Sequence, residues 1–242
     1  MQIQRFTEFT RLNESLTIDR INSLVELGLA PPEYEKLAAY TKSVKKNEYD
    51  HRKRDLDLSD SEYLSQLPEG LVVMGILSVD GCKNLKSLPA GLVVFSVLRA
   101  FDSGIESLPP DLKVGGGIDL SDTPLREWPN SLKKTRGWVN LNRSKIERLP
   151  ENFYVGNSLS LVKTPIKSLP NGLYVKSELD LQGTKITHVP DDLVANILIL
   201  GEVESGEIPE TISVDEIYIS EAQSKTMRIP ESLRKITKII WQ

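Results

Sequence analysis

Few residues in this 242-residue chain are of a type and spacing suited to covalent chemistry. A lone cysteine, Cys82, could serve as a nucleophile, but the repeat motif places no His or Asp beside it to activate its thiol. It occupies a position held elsewhere by Ser or Thr, so a structural role is expected. With one cysteine, no intrachain disulfide can form. The two histidines, His51 and His188, are far apart, and no cluster has metal-ligand spacing. His188 precedes Val189-Pro190 and reads as an exposed turn residue. His51 falls in a basic run, Lys45-Lys46 through His51-Arg52-Lys53-Arg54, broken by Glu48 and Asp50. It reads as a solvated connector, with a phosphate or acidic-protein contact as the alternative. Gly115-Gly116-Gly117 lacks the Lys-Ser/Thr of a phosphate loop and is expected to be a close-packing site. Asp119 and Asp180 are a candidate carboxylate pair, but three strands separate them, about 14 Å, too far for a shared glycosidase-type site. No catalytic residue, cofactor or metal is therefore assigned.

The elements that position these groups follow from one period. Proline recurs as Pro68, Pro89, Pro109, Pro129, Pro150, Pro170, Pro190, Pro209 and Pro230, at intervals of 19 to 21 residues. The residue before each is apolar (Leu67, Leu88, Leu108, Trp128, Leu149, Leu169, Val189, Ile208, Ile229), and so is the third residue after it. Between prolines lie alternating segments such as Ile118-Asp119-Leu120, Val139-Asn140-Leu141 and Leu179-Asp180-Leu181. Period-two alternation predicts a strand with one buried face. Three residues past each strand stands a small residue: Cys82, Ser103, Thr123, Ser144, Thr164 or Thr184. One such unit cannot bury its apolar positions alone, whereas stacked units share a continuous core. Proline lacks a donor and fixes φ, so the back of each unit is expected to be extended rather than helical. About ten strands are expected, centred near residues 57, 78, 99, 119, 140, 160, 180, 199, 218 and 239. Val203 and Ser205 interrupt the motif in the eighth repeat, and 220–226 reads as a loop.

The LPEGLVV, LPAGLVV and LPNGLYV stretches resemble the short bacterial, LPxxL-type class of leucine-rich repeats. The pattern is similar to the repeat domains of type III secreted effectors and to repeat proteins encoded in phages and prophages. The resemblance spans roughly residues 56 to 240. It implies an α/β repeat solenoid, a curved right-handed superhelix with a parallel β-sheet. It also implies a protein-binding module delivered to, or acting on, a host cell. The cysteine-dependent ubiquitin ligase that some effectors append has no counterpart in this chain.

Two domains are expected: an N-terminal helical cap over 1–54 and the repeat domain over 55–242. Thr17 is a good N-cap ahead of Ile18, Ile21, Leu24, Val25 and Leu27, and Gly28 is a good stop. Pro31-Pro32 opens a second helix with Leu37, Ala38, Tyr40 and Val44 as its apolar stripe, and 3–13 could form another. The last strand, Thr237 to Trp241, reads as uncapped, so self-association through that edge, or an assembly role for the protein, is the alternative function.

The 39% apolar content supports a packed core, and the net charge of -4 gives no reason to expect a nucleic-acid or membrane partner. Nothing resembles an apolar leader, so a cytoplasmic setting is expected, in a bacterium or after delivery into a host cell. The surface expected to bind a protein is the outward face of the sheet, where stacking aligns side chains into an array. Its candidates are Arg99, Phe101, Asp119, Trp138, Asn140, Asn142, Arg143, Asp180, Gln182 and Tyr218, with Ser121, Ser160, Val162 and Ser220 among them. Trp138 reads either as an anchor or as a cover over Gly137 or the adjacent strand.

Overall fold

The structure, a computed structural model, describes residues 16–45, 54–186, 188–200, 208–220, 228–236 and 238–241. The segment 3–13, the basic run from Lys46 to Lys53 with His51, and the irregular positions Val203, Ser205 and 221–226 lie outside them.

Residues from Leu56 onward wind into a parallel β-solenoid. Each early coil carries a short front strand and a short back strand. In chain order these are β1 (Leu56–Asp57), β2 (Val72–Val73), β3 (Leu77–Ser78), β4 (Val93–Val94), β5 (Leu98–Arg99), β6 (Lys113–Val114), β7 (Ile118–Asp119), β8 (Lys134–Thr135), β9 (Val139–Asn140), β10 (Tyr154–Val155) and β11 (Leu159–Ser160). In later coils the two strands fuse into one: β12 (Tyr174–Asp180), β13 (Val194–Ile199) and β14 (Ser213–Ile219), followed by β15 (Lys238–Trp241). The front sheet runs β1-β3-β5-β7-β9-β11-β12-β13-β14-β15, every neighbour parallel. These ten strands fall at the ten positions that the period predicts. The inward row stays in register, Leu56 opposite Leu77, Leu98 opposite Ile118, Val139 opposite Leu159 and Leu179 opposite Leu198, with one shift between Val175 and Glu178 where β12 meets β13.

The inward positions close the core. Leu58, Val79, Ala100, Leu120, Leu141, Leu161 and Leu181 are fully buried, each following an outward residue on its strand. The residues before the prolines are buried except Leu149, and the third residues after them except Leu132, which are both only partly so. Trp128 accounts for the second exception. It takes the place of the usual Leu, its ring meets Phe153 at 5.3 Å, and its Nε1 donates to the Leu132 carbonyl at 2.8 Å.

The small residues at the coil corner are also buried, and each satisfies itself locally. The hydroxyls of Ser61, Ser103, Thr123, Thr164 and Thr184 each donate to the carbonyl three residues earlier, at 2.5 to 2.8 Å. The hydrogen bond offsets the cost of taking the hydroxyl out of water. Cys82 takes this position in its coil, fully buried, with its Sγ–H toward the Leu58 carbonyl at 3.1 Å.

Two features differ from expectation. The back of the coils is extended, as proline requires, but it is also hydrogen-bonded: β2, β4 and β6 form a second parallel sheet, and β8 and β10 pair on toward β12. Residues 231–236 after Pro230 form a short helix, where an extended back was expected. Its Arg234 N–H donates to the Pro230 carbonyl at 3.2 Å.

At the N-terminal side, α1 (Ile18–Glu26) is capped by Thr17, whose Oγ1 accepts from the Arg20 N–H at 3.3 Å. The chain leaves the helix through Gly28 at φ +66°, a conformation glycine adopts without cost. Ile21 is buried and Leu24 and Val25 partly so, but Leu27, expected on the same face, is 70% exposed because it already lies at the helix C-cap. Helix α2 (Pro32–Lys45) buries Tyr34, Leu37, Ala38 and Tyr40. The Tyr34 hydroxyl donates to the Gln66 carbonyl at 3.1 Å. The Tyr40 hydroxyl donates to the Arg54 carbonyl at 3.0 Å and accepts from the Met74 N–H at 2.8 Å. The helix is thereby tied to the first coil by backbone contacts that the sequence pattern alone did not reveal.

Candidate functional site

The front strands are followed by a tight corner at which a residue takes positive φ: Asp60, Gly81, Asp102, Asp122, Arg143, Lys163 and Gly183 lie between +54° and +71°. The alternation of the strand therefore stops one residue before this ladder. Arg143 belongs to the corner and not to the strand face proper. Its guanidinium forms a fork on Asp122, Nε to Oδ1 at 2.7 Å and Nη2 to Oδ2 at 2.5 Å. The same corner joins Lys83 to Asp102.

Several outward candidates spend their polar groups on the coil itself. Asp119 Oδ1 accepts from the Ser121 N–H at 3.0 Å and from its hydroxyl. Asn140 Oδ1 accepts from the Asn142 N–H at 3.1 Å, and Asp180 Oδ1 from the Gln182 N–H at 3.0 Å. Asp57 does the same for Ser59 at 3.0 Å. Asn142 Oδ1 reaches the next coil, accepting from Val162 N–H at 2.9 Å and from the Ser160 hydroxyl at 2.6 Å. These side chains satisfy N–H groups where the strand ends, which is the ordinary work of an Asx turn. Asp119 and Asp180 stand three strands apart in the sheet order, as expected.

The aromatic candidates are less committed. Trp138 remains 37% exposed, and its indole lies on the neighbouring strand: a Cβ added at Gly117 would fall 2.1 Å from its ring. Gly117 is thus a shelf for the indole, which packs on the adjacent strand as one reading of Trp138 expected. Phe101 is 42% exposed, its N–H held by Asp80 Oδ1 at 2.8 Å. Asp80 also engages Arg99 at 3.1 Å. Tyr218 donates its hydroxyl to Glu216 at 2.9 Å, and that carboxylate pushes the phenol pKa up. From Arg99 to Tyr218 is six strand steps, about 29 Å, so the array is a surface and not a pocket.

The face has an electrostatic character that single residues did not announce. Asp55, Asp57, Asp80, Asp119, Glu178, Asp180 and Glu216 all stand at its outward positions. Among the described residues there, the cations are Arg99, which Asp80 already engages, and Lys238, in register with Glu216. Burial holds the Asp180 carboxyl above the ordinary aspartate range. At Asp122 the Arg143 hydrogen bonds do the opposite and hold it below.

A titration follows from that pair. Because the folded pKa of Asp122 is depressed, its linked stabilisation is present above the ordinary aspartate value, about 3.9. It is lost as pH falls through the lower folded value. An NMR titration of the Asp122 carboxyl is expected to give a midpoint below the ordinary value, returning to it in Arg143→Ala. A midpoint at or above that value in the parent protein would mean the fork does not persist in solution.

The other sequence candidates are placed as follows. Burial raises the Cys82 thiol pKa and keeps it from the thiolate form that a nucleophile needs. His188 is exposed and forms a backbone bridge with Ser168. Gly115, Gly116 and Gly117 pack against the preceding coil or under Trp138. Among the described residues no group of His, Cys, Asp and Glu could hold a metal ion, and no helix is long and apolar enough to cross a membrane. Two grooves stand out, the first beside β1 at the edge of this face and the second on the back. One of about 450 Å³ opens between Lys36, Tyr40 and Asp57, and one of about 510 Å³ opens on the back strands around Phe95 and Gly115. No family model matches the chain, and no curated protein matches it either.

Proposed function

We propose that this protein is a non-enzymatic interaction module of the short leucine-rich-repeat type, binding a protein partner through the front face of its sheet. The observation that carries the reading is the exposed aromatic pair Trp138 and Phe101, set among carboxylates on a rigid sheet. Large apolar groups held outward on a scaffold whose inward positions are already filled contribute little to folding. Aromatics in such settings supply most of the energy of protein interfaces. The acidic surround favours a partner with a basic rim and an apolar knob. Helices α1 and α2 act in this reading as a cap over the first coil, which a solenoid needs to stay soluble. The setting is the cytoplasm of a bacterium, or of a cell into which the protein is delivered, and the partner is a host protein.

Affinity capture from bacterial and eukaryotic lysates, run beside Trp138→Ala and Arg143→Glu, tests this. The expected result is a protein captured by the parent chain and lost from both variants, with thermal unfolding nearly unchanged. Trp138→Ala removes the anchor, and Arg143→Glu sets two like charges facing at the corner. Retention of every captured protein by both variants would remove the front face from consideration.

A further inference from the structure

The net charge of -4 averages over two unlike faces. The front face is rich in acids, whereas the outward positions of the back strands carry Lys113, Lys134, Arg136 and Lys176, with Asp215 farther along on β14, and no acid among the described residues forms an ion pair with any of these cations. At the corner, by contrast, Lys83 is paired with Asp102 and Arg143 with Asp122. Lys134 is held in place from one side, its Nζ 4.8 Å from the centre of the Tyr154 ring, which in turn stacks on Tyr174 at 4.9 Å.

The register then arranges these cations around a slot. One outward row of the back reads Phe95, Gly115, Arg136, Gly156, Lys176, one residue per coil; β6 and β8 do not pair, and the front register of Ile118 with Val139 carries the row from Gly115 to Arg136. Gly115 has no side chain, and its own Cβ position lies against the Phe95 carbonyl, so nothing rises between Phe95 and Arg136. Two coil steps separate those backbone positions, about 9.6 Å at the spacing of the paired front strands. A flat ring placed midway would stand about 4.8 Å from each neighbour, inside the range of aromatic and guanidinium stacking. The groove of about 510 Å³ lies over Gly115, lined by Phe95, Lys113, Lys134 and Arg136. Phe95 is 57% exposed, more than any other aromatic among the exposed large side chains.

A ligand that satisfies all of this must be planar where it meets Phe95 and Arg136 and anionic where it meets Lys113 and Lys134. We propose that the groove binds a single strand of nucleic acid, with one base between Phe95 and Arg136 above Gly115 and the adjoining phosphates on Lys113 and Lys134. Stacking on an aromatic beside a cationic track is how strands are held without regard to sequence. An acidic peptide would answer the cations but leave the slot without a flat group. Overall composition hides this site, because the excess of acids lies on the other faces. The front-face proposal does not enter the argument.

The test is fluorescence anisotropy with a labelled mixed-sequence oligonucleotide of about 12 nucleotides, as DNA and as RNA, over a range of salt. Binding by the parent chain is expected to weaken as salt rises, with a log–log slope of about -0.7 for each phosphate engaged. Phe95→Ala should lose roughly tenfold with the salt slope unchanged, since it removes stacking and no charge. Lys113→Glu with Lys134→Glu should lose more than about tenfold and flatten the slope. Lys163→Glu with Lys185→Glu, the same charge change at exposed positions away from the groove, should leave affinity unaltered, as should Trp138→Ala. Thermal melts check that each variant is folded. No binding by the parent chain at low salt overturns the assignment. So does equal loss in the control pair, or an affinity indifferent to Phe95→Ala. Poly-glutamate binding as tightly as the oligonucleotide overturns it in favour of an acidic protein surface.

Discussion

Leu141→Asp is expected to leave no cooperative unfolding transition at neutral pH. Leu141 is fully exposed to the core and not at all to water, flanked in the sheet by Leu120 and Leu161, which are equally buried. Its backbone is fixed at both ends, N–H to the Ser160 carbonyl at 2.9 Å and carbonyl to the Ser144 N–H at 3.0 Å. The side chain cannot swing outward without breaking those bonds. Truncating a buried leucine costs about 2–5 kcal/mol, and an unpaired carboxylate in its place adds several more unless it takes up a proton. Domains hold only about 5–15 kcal/mol in total. In a stack of coils the damage falls at the middle of the array and separates its two halves, because each coil is stabilised mainly by its neighbours. Circular dichroism with urea titration reads the outcome. A transition within about 1 kcal/mol of the parent would show that residue 141 does not face the core, and the inward register would fall with it.

The second large effect is steric. A Cβ added at Gly137 would lie 2.4 Å from the carbonyl carbon of Gly116 and 2.7 Å from the Gly117 nitrogen. Those are main-chain atoms of the preceding coil, with no rotamer through which to yield. Gly137→Ala therefore forces two coils apart, and the penalty is set near the top of the overpacking range, about 3 kcal/mol. That corresponds to a drop of roughly 6–12 °C in melting temperature for a chain of this size. Gly70→Ala is the control. Gly70 has nothing within 4 Å of its would-be Cβ, and its φ of +66° makes the cost purely conformational. That cost is about 1–2 kcal/mol. Equal melting shifts for the two substitutions would mean that close approach between coils is not what Gly137 provides.

The contrast shows what could be read from the sequence and what could not. Inward positions were legible because burial repeats a chemical type: an apolar residue before and after each proline, and two flanking the outward residue of each strand. The Ser/Thr/Cys row was legible for the same reason, and its hydrogen bond to the carbonyl three residues back explains why only small side chains able to donate appear there. The corner was not legible. Asp60, Gly81, Asp102, Asp122, Arg143, Lys163 and Gly183 share a backbone conformation that suits Asp and Gly, but Arg143 and Lys163 are not types that announce it. Arg143 was therefore counted as a continuation of its strand, although the chain has already turned. The back strands were hidden by brevity, since two residues cannot display a period. The opposed charges of the two faces emerge only when residues about twenty apart are laid side by side.

One consequence of the in-register pairing concerns the length of the molecule. Along the inward row each coil meets the next through like partners, Leu56 to Leu77 to Leu98 to Ile118, and the one-residue shift between Val175 and Glu178 leaves Leu179 opposite Leu198. Duplicating or excising a whole coil would rejoin like with like, whereas adding two or three residues inside a strand would misalign all that follows. Change in this chain is thus permitted in quanta of one coil, each shortening or lengthening the rod by about 4.8 Å. A shorter or longer version would keep its inner packing and alter only how far its two faces extend.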